Sequence, residues 1–254
     1  MIKCFTSKIL HTWEEAAAAG EQAGGGGFAG LYLRLGADFP ALAQRQEAEA
    51  EPFLRKLQEQ SVIAAVVAAE GLDLFRLAAG REDQEEVERL FTPLLELAGR
   101  LNPEAAVVIP APAMRAEEET GFSYERAFNQ LFLRLEGLTA AAQRRRVNLA
   151  VENPGGHLLL SPLELRDLID QINSPHLGVC FNPGQASRLG EPLDWAEILN
   201  HRILAAKVPA HFAEDENQEE LLAYFETLHP ALPVIGRNIF NHEVHEDHEE
   251  KRRI

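Results

Sequence analysis

Short apolar runs alternate with longer amphipathic runs along most of the chain. Several of the short runs are continuously apolar, which is typical of parallel strands covered by helices. Eight such runs predict strands, at residues 2–5, 29–35, 62–68, 105–109, 147–152, 177–182, 203–208 and 233–235. Helical segments separate successive strands. The number and order of these elements favour an α/β fold of the (β/α)8 TIM-barrel type over an open sheet.

Start signals mark two of the predicted helices. Ser161 and Glu164 have the spacing of a capping box, and Pro162 occupies the first helical position between them. Asp83 and Glu86 repeat the spacing ahead of a long amphipathic run. The sequence therefore predicts helices that begin directly after Asp83 and after Ser161.

Two segments interrupt the alternation. Residues 24–27 are all glycine and connect the first helix to the second strand, so we expect a flexible loop on the face opposite the catalytic one. Residues 238–254 are rich in His, Glu and Arg and poor in apolar side chains. We predict a single barrel domain at residues 1–237, followed by a polar C-terminal tail at residues 238–254.

Composition narrows the range of partners. The formal net charge of −16 disfavours binding to nucleic acid or to an anionic lipid surface. No apolar run has the length of a membrane span, so we expect neither a nucleic acid nor a membrane as partner. Cys4 and Cys180 both lie in predicted strands, which favours buried thiols in the reducing environment of the cytoplasm.

Polar side chains follow the last four predicted strands, where a TIM barrel carries its chemistry. The candidate site residues selected by this rule are Glu152, Asn153, Asn182, Gln185, Lys207, His211 and Arg237. Because the carboxyl ends of the strands meet at one mouth, we expect these side chains to converge.

Glu152 and Lys207 are the candidates for catalysis. A carboxylate in a partly desolvated mouth suits a general base or a metal ligand, or serves as a structural group. The lysine suits binding of a phosphate, polarisation of a carbonyl or a Schiff base. We favour an ion pair between Glu152 and Lys207, because a lone buried charge is very costly.

The other candidates suit substrate binding. The amides of Asn153, Asn182 and Gln185 can bind sugar hydroxyls or belong to a structural network, and both interpretations stay open. His211 and Arg237 are candidate anion-binding residues, with an ordinary surface role as the alternative.

Three sequence segments resemble the xylose isomerase-like TIM barrels, which include sugar-phosphate isomerases/epimerases and endonuclease IV. LAVENPGG resembles the fifth strand of that family, SPHLGVCFNPGQA the sixth and RILAAKVPA the seventh.

The resemblance implies a divalent metal (Mn, Zn, Co or Mg) at the mouth of the barrel. It also implies that Glu152 is a metal ligand. Asn182, Gln185 and Lys207 stand where the family has Asp, His and His, so Glu152 is the only retained ligand. We therefore predict no tightly bound metal and no other cofactor, and weak binding of a divalent ion stays open.

The resemblance favours a sugar or sugar-phosphate isomerase/epimerase. It would transfer a proton at a carbon next to a carbonyl, with Glu152 as base and a carbohydrate-like small molecule as substrate. The alternative is a catalytically inactive barrel that binds a sugar or has a regulatory role. A third hypothesis, an abasic-site nuclease, is opposed by the missing metal ligands and by the net charge.

Overall fold

The computed structural model describes residues 1–111, 123–155, 158–209, 217–228 and 230–236. Its strands form a closed parallel barrel in chain order, in which β8 pairs with β1 through Ile2↔Pro233 and Cys4↔Ile235. The strands are β1 (Ile2–Leu10), β2 (Gly30–Leu35), β3 (Ile63–Ala69), β4 (Ala106–Ile109), β5 (Asn148–Glu152), β6 (Leu177–Phe181), β7 (Ile203–Lys207) and β8 (Pro233–Ile235). The predicted (β/α)8 TIM barrel is confirmed.

Helices surround the barrel and connect the strands. They are α1 (Trp13–Gly25), α2 (Phe39–Arg45), α3 (Ala50–Glu59), α4 (Leu74–Ala79), α5 (Gln84–Leu101), α6 (Tyr124–Arg145), α7 (Pro162–Ile172), α8 (Pro183–Ala186), α9 (Pro192–Leu199) and α10 (Asn217–Leu228). None of the described helices is long and apolar enough to cross a membrane.

Alternate strand positions form two separate layers. Outward side chains such as Val67, Val107 and Val179 pack with the apolar faces of the helices in one large core. Inward side chains form a second cluster inside the barrel, and many of them are alanines. Larger residues, among them Tyr32 and Cys180, lie between these alanines. A barrel interior lined by small side chains leaves space below the mouth for longer side chains on the neighbouring strands.

The two cysteines are free thiols inside the barrel, as predicted. Burial raises the pKa of the Cys4 thiol to about 12. Burial also raises the pKa of Cys180, and the nearby Glu152 carboxylate adds to the shift. Both side chains therefore stay protonated at neutral pH.

Aromatic packing anchors the helical layer at two distant points of the sequence. Trp13, at the start of α1, lies 5.4 Å from Phe39 and 5.6 Å from Phe53 between ring centroids. Trp195 in α9 is 2% exposed. Both indoles belong to the outer core rather than to the barrel interior.

Two sequence-based expectations about element ends are wrong in part. The first strand runs to Leu10 rather than ending near Phe5, because its later half is only partly apolar yet still pairs with β2 after a register shift. The glycine run is not wholly a loop, since Gly24 and Gly25 are the last residues of α1. A Cβ on Gly24 would lie 2.5 Å from Gln60 Oε1, so close packing beside α3 requires glycine there.

The predicted cap of α7 is half correct. Ser161 accepts a hydrogen bond from the backbone N–H of Glu164, with Pro162 at the first helical position. The Glu164 carboxylate does not return to Ser161. It accepts instead from the N–H of Leu160 at 2.9 Å and from the hydroxyl of Tyr124 on α6. This contact fixes the connection that follows β5 against the neighbouring helix.

Candidate functional site

The carboxylate of Glu152 lies at the end of β5 and is 2% exposed. Lys207 Nζ donates to Oε1 at 2.9 Å and to Oε2 at 3.1 Å. Asn182 Nδ2 donates to Oε1 at 2.6 Å, and the N–H of Ala111 donates to Oε2 at 3.3 Å. An ionised carboxylate offers about four lone-pair positions. The described residues therefore fill the hydrogen-bonding capacity of Glu152.

Asn153 and Asn182 form a second contact between β5 and β6. Asn153 Oδ1 accepts from the Asn182 N–H at 2.6 Å, and Asn153 Nδ2 donates to the Asn182 carbonyl at 3.1 Å. Both residues are buried. The pair extends the contact beyond Glu152↔Cys180, the last strand pairing, because Asn153 directly follows the end of β5 and Asn182 directly follows the end of β6. Asn153 thereby holds Asn182 in the position from which its side chain reaches Glu152.

Asn182 also caps a short helix. Its Oδ1 accepts from the N–H of Gln185 at 3.2 Å, at the start of α8. The side chain of Gln185 lies instead against the connection after β5, since a Cβ on Gly155 would be 2.0 Å from Gln185 Oε1. Gln185 Oε1 is buried and accepts no hydrogen bond from the described residues. The structure thus brings Glu152, Asn182 and Lys207 into one network and leaves the Gln185 amide outside it.

A cavity of about 400 Å³ opens at the C-terminal mouth of the barrel. It is lined by Thr6, Ile9, Tyr32, Arg34, Leu35, Ala68, Ala69, Glu70, Pro110, Lys207, Val208, Pro209, Ile235 and Gly236. Of the sequence-predicted candidates that the structure describes, Lys207 is the one among these lining residues. Its side chain is 37% exposed. The ion pair is therefore reached from the cavity through the lysine, with Glu152 behind it.

The first three strands contribute polar side chains that the sequence reasoning missed. Tyr32 and Arg34 lie two positions apart on the inner face of β2, and Glu70 directly follows β3. Burial raises the pKa of Tyr32, and the nearby Cys180 and Glu152 add to the shift. Candidates were selected at the ends of the later strands alone. The same rule applied to β2 and β3 would have identified Arg34 and Glu70.

Two predicted binding residues, His211 and Arg237, lie outside the described residues. The same holds for the polar tail at residues 238–254. Their predicted roles stay predictions.

The donor groups that the described residues place at the mouth do not fit a divalent metal ion. Among the described residues, no three His, Cys, Asp or Glu side chains gather in a metal-binding arrangement. Both oxygens of Glu152 face an ammonium group, and Asn182 turns its NH2 group rather than its oxygen toward the carboxylate. Burial keeps the neighbouring Cys180 protonated, by raising its pKa, which makes it a poor ligand. Hard cations require several oxygen ligands, preferably charged.

Comparison with known structures agrees with this fold. D-psicose 3-epimerase with D-tagatose from Clostridium cellulolyticum H10 matches with a TM-score of 0.76 at 10% identity, over 93% of this chain and 84% of that one. 3-Keto-D-glucoside 4-epimerase from E. coli gives 0.73 at 11% identity, with 93% and 91% covered. AP endonuclease, family 2, from Brucella melitensis gives 0.68 at 15% identity, with 93% and 92% covered.

Sequence comparison assigns the family. No curated protein matches the chain significantly. A family model described as xylose isomerase-like TIM barrel matches residues 18–247. The match covers the helices and strands that build the mouth from β2 onward, including Glu152, Asn182 and Lys207. The chain belongs to the xylose isomerase-like TIM-barrel family.

Proposed function

We propose that the protein is a sugar isomerase/epimerase-like barrel that binds a sugar or sugar phosphate at its C-terminal mouth, without a tightly bound metal. The observation that carries this proposal is the position of Lys207. It lines the mouth cavity, and its ammonium group rests on the buried carboxylate of Glu152. A fixed cation at the mouth offers hydrogen-bond donors and positive charge to a carbonyl, hydroxyl or phosphate oxygen.

The volume of the cavity supports a ligand of this size. About 400 Å³ lies within the range of small-molecule sites, which begins near 300 Å³. Apolar residues such as Ile9 and Ile235 share the wall with Tyr32, Arg34 and Lys207. A wall of this kind suits a molecule with both carbon–hydrogen faces and oxygen groups, as a carbohydrate has.

In the catalytic form of this proposal, Glu152 takes a proton from a carbon next to the ligand's carbonyl. The electron pair of the broken C–H bond forms a C=C bond as the π electrons of the carbonyl move to its oxygen, and the Lys207 ammonium stabilises the resulting enediolate. Glu152 then returns the proton to the former carbonyl carbon, while the proton of the neighbouring hydroxyl passes to the former carbonyl oxygen, which completes an isomerisation. Return of the proton to the original carbon from the same face regenerates the substrate, with exchange against solvent as its trace. Lys207 must first shift toward the ligand, because its ammonium contacts both Glu152 oxygens in the free protein.

A second candidate is a barrel that binds a sugar without turning it over. This candidate is favoured because the described residues already fill the hydrogen-bonding capacity of the Glu152 carboxylate. With Lys207, Asn182 and the Ala111 N–H as donors, the carboxylate has no lone pair directed at the cavity. In this form Glu152 is the counter-charge that positions Lys207, and Lys207 binds the ligand.

Solvent isotope exchange separates the two candidates without knowledge of the product. The protein is incubated in D2O with a panel of aldoses, ketoses and their phosphates, and proton NMR follows the signal of the carbon next to the carbonyl. The catalytic form predicts deuterium incorporation that Glu152→Gln abolishes while the circular dichroism spectrum is unchanged. Glu104→Gln, a change at an exposed carboxylate on the opposite face, is the matched control.

Binding of the same panel is measured by calorimetry. Binding without deuterium incorporation, lost in Lys207→Met, supports the non-catalytic candidate. Absence of both binding and exchange for every member of the panel would show that the mouth is not a carbohydrate site.

A further inference from the structure

The inner face of β2 presents two polar side chains to the mouth cavity. Tyr32 and Arg34 both line it, and β2 lies three strand positions from β7 in the barrel order. Lys207, on β7, is neutralised by Glu152. The two sides of the cavity therefore carry different kinds of polar group, a neutralised ion pair on one and the β2 side chains on the other.

Arg34 is a cation that the described part of the chain leaves without an ion pair. Its backbone N–H donates to Ser7 Oγ at 3.0 Å, and Ser7 is buried, so the backbone that carries the side chain is held firmly. Glu70 is the carboxylate on the cavity wall and forms no ion pair with Arg34. A guanidinium is always charged and presents its donors in a planar fork that matches two oxygens of a carboxylate or phosphate.

Tyr32 contributes a second polar group, one that has no hydrogen-bond partner among the described residues. Its side chain is 5% exposed, yet its hydroxyl makes no hydrogen bond to any described residue. The hydroxyl oxygen is not fully enclosed by the described residues, and the side chain lines the cavity. Burial raises the pKa of Tyr32, so the hydroxyl stays protonated at neutral pH and can donate to a ligand oxygen.

We propose that Arg34 binds an anionic group of the ligand, a carboxylate or a phosphate, while the Tyr32 hydroxyl donates to a nearby oxygen of the same molecule. This inference rests on the proposed carbohydrate site and narrows its ligand to an acidic carbohydrate. Lys207 would then contact a different part of that ligand. Arg34 would favour acidic over neutral carbohydrates, and Lys207 would contribute to the binding of both.

Matched pairs of ligands test the role of Arg34. Calorimetry compares hexose and pentose phosphates, aldonic acids and uronic acids with their neutral parent sugars, and includes inorganic phosphate alone. Since hydrogen bonds to charged groups are among the strong ones, we expect an acidic ligand to bind roughly 10- to 100-fold more tightly than its neutral parent. Arg34→Gln should bring that ratio close to one.

Further variants keep the test independent of folding. Arg34→Lys retains the charge without the planar fork and should keep part of the preference for acids. Tyr32→Phe removes only the hydroxyl and should weaken the binding of an acidic ligand and of its neutral parent sugar by the same factor. Arg89→Gln removes a guanidinium whose side chain is 75% exposed on α5, and it should have no effect.

The outcomes separate this inference from the proposed function. Two outcomes overturn the inference and leave the carbohydrate site intact. One is equal affinity for acidic ligands and their neutral parent sugars, and the other is a preference for acidic ligands that Arg34→Gln does not remove. Arg34-dependent binding of inorganic phosphate with no binding of any sugar supports an anion site and overturns the carbohydrate proposal. Sugar acids and sugar phosphates that both depend on Arg34 support the inference, and their relative affinities identify which anionic group the site prefers.

Discussion

The two sides of the barrel mouth use their polar side chains differently. At the ends of β5 to β7, Glu152, Asn182 and Lys207 satisfy one another. On β2, Tyr32 and Arg34 face the same cavity without a hydrogen bond or an ion pair from their side chains to the described residues. Location at a strand end therefore identifies polar groups that could act. The presence or absence of a protein partner then separates those that hold the barrel together from those that are available to a ligand.

The largest effect is expected from Lys207→Met. The substitution leaves the Glu152 carboxylate buried without its counter-charge. We expect it to lower the free energy of unfolding by about 2–4 kcal/mol, somewhat less than for a fully enclosed pair because the ammonium is partly exposed. Urea denaturation at neutral pH measures the change.

The double variant Glu152→Gln/Lys207→Met is the control for this prediction. Removal of both charges should recover most of the lost stability, because no buried charge is then left alone. If the single and the double variant are equally destabilised, the ion pair is not what holds this side of the mouth.

A smaller loss is expected from Asn153→Ala. The truncation leaves the buried N–H of Asn182 without its acceptor, which should cost about 1–3 kcal/mol. Asn129→Ala, at an exposed position of α6, is the matched control and should stay within about 0.5 kcal/mol of wild type. An equal loss from both changes would contradict a structural role for the contact between Asn153 and Asn182.

On the other side of the mouth, Arg34→Gln should hardly change stability. Its side chain has no ion pair among the described residues, so we expect a change within about 0.5 kcal/mol in urea denaturation. A loss comparable to that of Lys207→Met would mean that both sides of the mouth are structural, and the contrast between them would disappear.

The smallest effect is expected from metal ions. Because an ammonium group occupies both Glu152 oxygens, Mn, Zn or Co should neither raise the melting temperature nor be retained near one equivalent after desalting. Mass spectrometry on untagged protein measures the retained metal, and a variant truncated before His242 removes ligands in the tail. One equivalent kept in the truncated variant and lost in Glu152→Ala would restore a metal site.

The barrel could be predicted from the sequence because its strands are continuous apolar runs separated by amphipathic helices. Where that pattern weakens, the prediction failed. The second half of β1 contains the polar residues Thr6, Ser7 and Lys8, so its own sequence does not read as a strand. It is a strand because it pairs with β2. Gly24 is part of α1 and packs closely beside Gln60, a contact that no local pattern reveals.

The site was predictable in part. The ion pair between Glu152 and Lys207 was expected on energetic grounds and is present. The saturation of Glu152 was not predictable, since it depends on the Ala111 N–H, which comes from a different strand connection. The sequence reasoning also concentrated on the strands that resembled the family. It therefore overlooked Arg34 and Glu70, although both satisfied the same positional rule.

The location of the two tryptophans has a practical consequence for spectroscopy. Trp13 in α1 and Trp195 in α9 lie in the outer core, and neither lines the mouth cavity. Their fluorescence should therefore follow detachment of the helical layer from the barrel, with a red shift as the indoles meet water. Occupation of the mouth should leave the emission of the folded protein unchanged. Tryptophan fluorescence can thus monitor unfolding in the presence of any ligand, while binding itself needs a different signal.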